Sequence, residues 1–276
     1  MQRSLGLVQV DEIYLTHFHA DHVLGIPGLL KTYDLTDRRV PLKVYGPTGL
    51  TELFQVFSPL IGRLGFTLDL IELKPDEAVA HEGYEVRPFE ASHRTARAYG
   101  YALVEEERPG RFDPDAAAAA GVPEGPAYAA LQRGESVEGK AGTVTPDQVM
   151  GPSRAGRTIV LTGDTAPSPA TVSAAADAEL LIHDASFAEE EAQRAAETGH
   201  STVGQAAAVA DEAHVKLLAL VHISSRYHVG KVIEEAREIF EPTVAPKDFD
   251  VIELPFPERG DPQLIPNGAA DRGGDG

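Results

Sequence analysis

The stretch Tyr14 to Gly25, YLTHFHADHVLG, sets His17, His19, Asp21 and His22 within six residues, directly behind an apolar run. His17 and His19 are two apart and so point the same way along an extended chain. Asp21 and His22 fall on the turn into the next helix. One loop of this kind can face two metal ions, with the paired histidines on one and the Asp-His pair on the other. The chain has no cysteine, which excludes thiolate ligands and disulfides. Imidazole with carboxylate suits zinc best, and manganese or iron next. The competing reading is four unrelated surface residues, against which stands their packing into six positions after a strand and before a helix.

Four side chains cannot complete two metal sites, and the other ends of apolar runs are where the remainder belongs. His93 in FEASHRT, Asp164 in IVLTGDT and His222 in LALVHISSRY each end such a run. Singly, each could be a turn former or a satisfied polar group; with the first cluster they make a full set. A carboxylate such as Asp164 can bridge two cations, and a hydroxide held between them is a strong nucleophile at neutral pH, which is hydrolase chemistry. His200, in ETGHSTVGQAAAVADEA, stands just before a Ser-Thr cap. It reads as a general acid for a leaving group, as a phosphate anchor at a helix N-terminus, or as a plain capping-region histidine. His81, His183, His214 and His228 are expected to be structural or solvated.

The elements that must hold these residues are legible as short β-branched or aromatic runs: EIYLTH, PLKVYG, LDLIEL, YEVRPFEA, AYGYALVE, RTIVLTGD, AELLIHDA, KLLALVHIS and DFDVIEL. Helical patterns lie between several of them, in HVLGIPGLLKTYDL, TGLTELFQVFSPLI, AEEEAQRAAET, STVGQAAAVADEA and GKVIEEAREIFE. Early strands follow one another and later ones alternate with helices, which predicts a mixed α/β fold of sheets covered by helices, not one doubly wound sheet. From Glu105 to about Val149 glycine and proline break the pattern, which predicts an inserted arm or, alternatively, a disordered loop. The domain is expected to span 1–257, with 258–276 a disordered tail.

A chain of 276 residues, 42% hydrophobic, can bury a sizeable core. No apolar run nears the roughly 20 residues that cross a bilayer, and MQRSLGLVQVDE lacks a signal peptide's apolar centre, so the expectation is a cytoplasmic protein. Against 43 acidic residues stand 24 basic ones, only seven of them lysine, for a formal charge of −19. Acidic, lysine-poor surfaces suit high salt, where self-repulsion is screened, and a halophilic source is expected.

The combination THFHADHVLGIPGLL, ASHRTARAYGYAL, LTGDT, GHSTVGQAA and HISSRY resembles ribonuclease Z, the tRNA 3′-processing endonuclease of the metallo-β-lactamase superfamily, from Val10 to about Phe256. The HxHxDH cluster is shared across that superfamily; GHST, HISSRY and GVPEGPAYAALQRGE narrow the resemblance, and the acidic balance points to a haloarchaeal member. The resemblance implies a four-layer αββα sandwich with a dinuclear zinc site. His17, His19 and His93 would hold one zinc and Asp21, His22 and His222 the other, with Asp164 bridging, Asp21 also the general base, and His200 assisting the leaving oxygen. It further implies precursor tRNA as substrate, cut at the 3′ trailer, a tRNA-gripping arm at about 105–149, and a homodimer.

Two departures from the family qualify these expectations. Its stretch ahead of the first motif, with a TSG-like turn and a DCGEGTQ-like segment, has no counterpart in the sixteen residues before His17. A missing first stretch would leave an unpaired sheet edge and a reduced active-site rim. The arm carries nine acidic and four basic residues between Leu103 and Pro152, although phosphate binding normally uses basic groups. Two rival functions share the metal ligands: a small-molecule hydrolase of the superfamily, which has no use for the arm, and a truncated tRNA-binding form that does not cut.

Overall fold

The apolar run ahead of the first histidines forms β1 (Glu12–Tyr14), and the loop beyond it leads into α1 (Ala20–Val23) and α2 (Gly25–Leu35). The chain continues through β2 (Leu42–Gly46), α3 (Leu50–Ile61), β3 (Leu68–Glu72), β4 (Val79–His81), β5 (Tyr84–Glu90) and β6 (Tyr99–Glu105). Then come α4 (Pro114–Ala119), α5 (Pro126–Gln132), β7 (Val137–Gly139) and β8 (Gly142–Val144). The rest is β9 (Thr158–Leu161), α6 (Pro169–Ala174), β10 (Leu180–Asp184), α7 (Ala192–Thr198), α8 (Val203–Glu212), β11 (Leu218–Val221), α9 (Val229–Arg237), β12 (Thr243–Val244), β13 (Val251–Glu253) and β14 (Gln263–Ile265). The structure, a computed structural model, describes residues 10–75, 77–94 and 97–267.

Strand order is β1-β2-β3 in one sheet, all parallel, and β12-β11-β10-β9-β6-β5-β4 in the other. Strands β9 to β12 are parallel, and β6 runs antiparallel to β9. Period-two alternation gives each sheet two apolar faces. Tyr99 and Tyr101 of β6 and Val86 of β5 face Tyr14, Tyr45 and Ile71 of the smaller sheet in a shared core. On the opposite face of the same strands, Phe89 and Ala102 join Val203, Ala206, Ala207 and Ala210 of α8. The smaller sheet's outer face buries Val44 and Leu42 against Leu30 and Tyr33 of α2 and Phe54 and Phe57 of α3. The layers therefore run helix, sheet, sheet, helix, the expected αββα sandwich. Each fully buried Leu or Phe contributes about 1.5–3 kcal/mol, so these three cores hold the sheets in place.

Glu105–Arg157 form a separate compact unit with its own small core of Ala117, Val122, Leu131, Val144 and Val149, flanked by Phe112 and Tyr128. Asp113 caps α4 by accepting from the Ala116 amide, and prolines start both of its helices. The expected boundary at 149 moves to 157, because Arg108 and Arg154 bridge and Glu105 accepts the Arg157 amide, pairing the two ends of the segment. The tail expected to be disordered from 258 begins with an ordered stretch: β14 pairs antiparallel with β13, and Asp250 accepts the Asn267 amide. The remainder of that tail, and residues 1–9, where the expectations on the chain start fall, lie outside the described residues.

Candidate metal centre

Parallel strands deliver their carboxyl ends to one edge, where loops rather than side-chain neighbours follow, and open α/β sheets collect ligands there. Asp164 lies just beyond β9, Asp184 ends β10 and His222 follows β11, three adjacent parallel strands. From the smaller sheet, β1 brings His17, His19, Asp21 and His22, the last two in α1. His93 follows β5, and His200 sits between α7 and α8. The local backbone is bent to reach this edge: Gly163 has φ 62°, and a Cβ there would come within 2.8 Å of the Thr16 side chain. His222 itself occupies the left-handed region at φ 61°, a conformation that costs a non-glycine residue about 1–3 kcal/mol and recurs at functional sites.

The side chains fall into groups whose ligand atoms lie within 4.8 Å of one another: His17, His19, His93 and Asp164; Asp21, His22 and His222; and Asp164, Asp184, His200 and His222. In the first, His17 Nε2 and His93 Nε2 each lie 3.1 Å from His19 Nδ1. His93 Nδ1–H donates to the Gly199 carbonyl at 2.6 Å, and His17 Nδ1 pairs with Thr16 Oγ1 at 3.1 Å. These partners leave a lone pair on each Nε2 facing the cluster. A tetrahedron with bonds of about 2.0 Å has edges of roughly 3.3 Å, so the spacing fits a shared zinc-sized cation. Gly199, at φ 71°, allows that carbonyl to approach: a Cβ there would sit 2.8 Å from the Arg94 amide nitrogen.

Asp164 joins the groups. Its Oδ2 lies 3.7 Å from His17 Nε2 and 3.3 Å from His22 Nε2, and its Oδ1 3.8 Å from His222 Nδ1. Asp21 Oδ2 lies 3.6 Å from His22 Nε2 and 3.9 Å from His222 Nε2. Burial, helped by the neighbouring His22, lowers His17 to about 4, which keeps it a neutral ligand at pH 7. Burial likewise lowers His93. The hydrogen bond to Asp164 raises His22 against its own burial, and the buried Asp184 carboxylate raises His222 to about 9. Burial pushes Asp164 up, but the His22 hydrogen bond and the charges of His222 and His22 leave it below the ordinary range.

One residue of the site escaped the sequence reading. Asp184 is fully buried and accepts from the Thr165 amide (3.1 Å), the Ser186 amide (3.0 Å), Ser186 Oγ (2.6 Å) and His200 Nδ1–H (2.7 Å). A buried carboxylate without partners costs several kcal/mol; here burial alone would raise its pKa, and the bonds from His200, His222 and Ser186 outweigh it and hold it ionised. His222 Nδ1 in turn meets Ser186 Oγ at 2.6 Å. Asp184 thus orients two histidines, a role that carboxylates commonly play behind metal ligands. Its signal was the one that found Asp164, an acidic residue ending an apolar run, in LLIHDAS. Of the four unassigned histidines, His81 bonds the Tyr14 hydroxyl at 3.1 Å, and fully buried His183 donates to the Asp184 carbonyl at 2.7 Å.

An αββα sandwich with a His/Asp cluster able to bind metal ions at its strand ends defines a metallo-β-lactamase-fold protein, and residues 2–131 match the beta-lactamase superfamily domain. The chain belongs to the ribonuclease Z family. It is 45% identical over 259 residues to ribonuclease Z of Methanosarcina acetivorans, covering 93% of this chain and 85% of that one. With ribonuclease Z of Halorubrum lacusprofundi it shares 46% over 255 residues, 90% of this chain and 82% of that one. Among solved structures, the short form of human tRNase Z superposes with a TM-score of 0.63 at 24% identity, covering 91% of this chain and 82% of that one. The Bacillus subtilis metallo-β-lactamase-fold protein YhfI gives 0.61 at 18%, covering 88% and 78%; these two likenesses concern the fold.

Proposed function

We propose that the chain is a zinc-dependent endoribonuclease that hydrolyses the phosphodiester at the 3′ trailer of precursor tRNA, leaving a 3′-hydroxyl on the tRNA and a 5′-phosphate on the trailer. The observation that carries this reading is Asp164, whose two oxygens face the His17 and His22 side and the His222 side within 3.8 Å, in a chain of the ribonuclease Z family.

His17, His19 and His93 are assigned to one zinc, Asp21, His22 and His222 to a second, and Asp164 to both. Bound there, the metals would supply a nucleophilic hydroxide at neutral pH and neutralise charge on the phosphoryl group. Asp21, with 67% of its side chain exposed, is assigned as the base that takes the proton of the attacking water. His200 donates its Nδ1–H to Asp184, so in the imidazolium form its Nε2–H is the proton that would pass to the departing 3′-oxygen. Asp184 holds that ring in one orientation and stabilises its protonated form, which is the function of the orienting carboxylate in acid-base dyads.

Residues 105–149 are read as the tRNA-gripping arm. Support comes from the separate core of Glu105–Arg157, which gives the segment a fixed shape of its own. With nine acidic and four basic residues, the stretch 105–149 would grip by shape and backbone contacts more than by counterion release. A homodimer is the assembly proposed; Val56 and Leu60, one turn apart on α3 and 73% and 68% exposed, offer apolar surface for it. No described helix is long and apolar enough to cross a membrane, and the cytoplasm is the proposed location.

The test is incubation of zinc-loaded protein with a precursor tRNA bearing a 3′ trailer. Cleavage at the trailer junction, lost in Asp21→Ala, supports the reading; full cleavage by Asp21→Ala refutes the site assignment. Deleting 112–139 is expected to reduce cleavage of precursor tRNA far more than hydrolysis of bis-p-nitrophenyl phosphate, and equal losses would count against the arm.

A further inference from the structure

Beside the metal centre a cavity of about 380 Å³ opens, within the roughly 300–1,000 Å³ range of small-ligand sites, and it shares His200 and His222 with that centre. Its other walls include Phe187, Arg194, Ser224 and Arg226. The two guanidinium groups lie 5.9 and 5.7 Å from the Phe187 ring centre, one from α7 and one from the loop after β11. Glu191 binds them together: its Oε1 meets Arg194 Nη1 at 3.3 Å, and its Oε2 meets Arg226 Nη2 at 3.3 Å. Arg226 Nε donates further to Ser224 Oγ at 3.1 Å. One carboxylate against two guanidiniums leaves a surplus positive charge at the cavity wall, in a chain whose formal charge is −19. Glu191 also meets Arg226 Nη1 at 3.4 Å, so Arg226 keeps only the remaining N–H of each Nη for an anion, whereas Arg194, bonded through Nη1 alone, keeps its Nε–Nη2 fork.

We propose that this cavity is the subsite for the nucleotide that bears the departing 3′-oxygen, with Arg194 and Arg226 taking the phosphate on that nucleotide's 5′ side. The inference rests on the proposed function, which places His200 beside the leaving oxygen; the nucleoside that carries this oxygen must therefore occupy the space His200 borders. A second phosphate bound by preorganised arginine forks would fix the register of the chain, because backbone contacts position a nucleic acid while base contacts specify it. A small phosphodiester has no such second phosphate and would gain nothing from the cavity.

The test replaces the linkage one nucleotide 5′ of the scissile phosphate with an uncharged methylphosphonate. For the zinc-loaded wild type the replacement is expected to raise KM about tenfold with kcat little changed, as loss of one charge-assisted contact requires. In an Arg194→Gln/Arg226→Gln variant the same replacement should change KM less than twofold, and the slope of log KM against log salt should fall by roughly one to two. Arg194→Lys/Arg226→Lys, which keeps the charge and loses the fork, should recover part of the penalty. Because the variant is compared with itself on two substrates, a general loss of stability does not imitate the result. Wild-type enzyme that cleaves both substrates equally well overturns the subsite and leaves the ribonuclease reading standing, as does an undiminished penalty in the glutamine variant. Wild-type enzyme that cuts neither substrate overturns both.

Discussion

At the level of single residues, two carboxylates divide the work of the site. Asp164 faces the metal groups directly, whereas Asp184 stands behind His200 and His222. His93, Asp164 and His222, which the structure groups with the HxHxDH residues, were legible because each ends an apolar run. Asp184 was not, because HDAS offers a histidine and an aspartate side by side and only strand alternation decides which faces the site. In β10, Leu181 packs with the helices and Leu180 and Ile182 on the other face, so Asp184 shares the latter face and His183 does not. His200→Ala is expected to lower kcat on precursor tRNA about 10²- to 10⁴-fold, the usual worth of a general acid, with the metal content per chain unchanged. Asp184→Asn should lose much of the same factor. Measuring metal content beside kcat checks this: loss of zinc in His200→Ala would make it a ligand instead.

At the level of elements, the site depends on tight approaches between loops. Adding a methyl at Gly163 meets Thr16 at 2.8 Å in a backbone conformation that disfavours any side chain. Gly163→Ala is therefore expected to displace Asp164 and lower zinc affinity by at least about tenfold, together with a stability loss of about 1–3 kcal/mol. Chelator competition and thermal melting would show both, and unchanged zinc affinity would contradict the bridging position given to Asp164. The ends of Glu105–Arg157 are held by Glu105, whose carboxylate bonds both the Arg157 amide and its guanidinium and is kept below the ordinary range by that guanidinium. A depressed folded-state pKa stabilises above the unfolded value of about 4.5 and loses that contribution as pH falls through the folded value. Glu105→Gln should lower the melting temperature at pH 7, and the deficit should shrink as pH falls below the unfolded value of about 4.5; a deficit that does not shrink would refute the ionic contribution. All nine strands read from the sequence are present, but β4, β7, β8, β12 and β14 are two or three residues long and show no usable period. The Gly-Pro segment read as an arm or a loop conceals two helices, since an alanine run capped by Asp113 carries no amphipathic signal.

At the level of the whole molecule, charge is the dominant fact. A formal −19 destabilises the folded state by self-repulsion unless salt screens it, and at 1 M the screening length is about 3 Å. Melting temperature is therefore expected to rise steadily in KCl up to molar concentrations, and a flat or falling curve would remove the halophilic interpretation. The same charge bears on substrate: phosphate binding by an acidic protein demands local exceptions, and the arginine pair beside the metal centre is one. In the proposed reaction, water activated at the His/Asp cluster breaks the trailer bond of precursor tRNA. The most direct measurement is the end chemistry of the two products from zinc-loaded protein. A tRNA with a free 3′-hydroxyl and a trailer with a 5′-phosphate are expected, both absent in Asp164→Ala. A 2′,3′-cyclic phosphate on the tRNA, or products that persist in Asp164→Ala, would contradict that reaction.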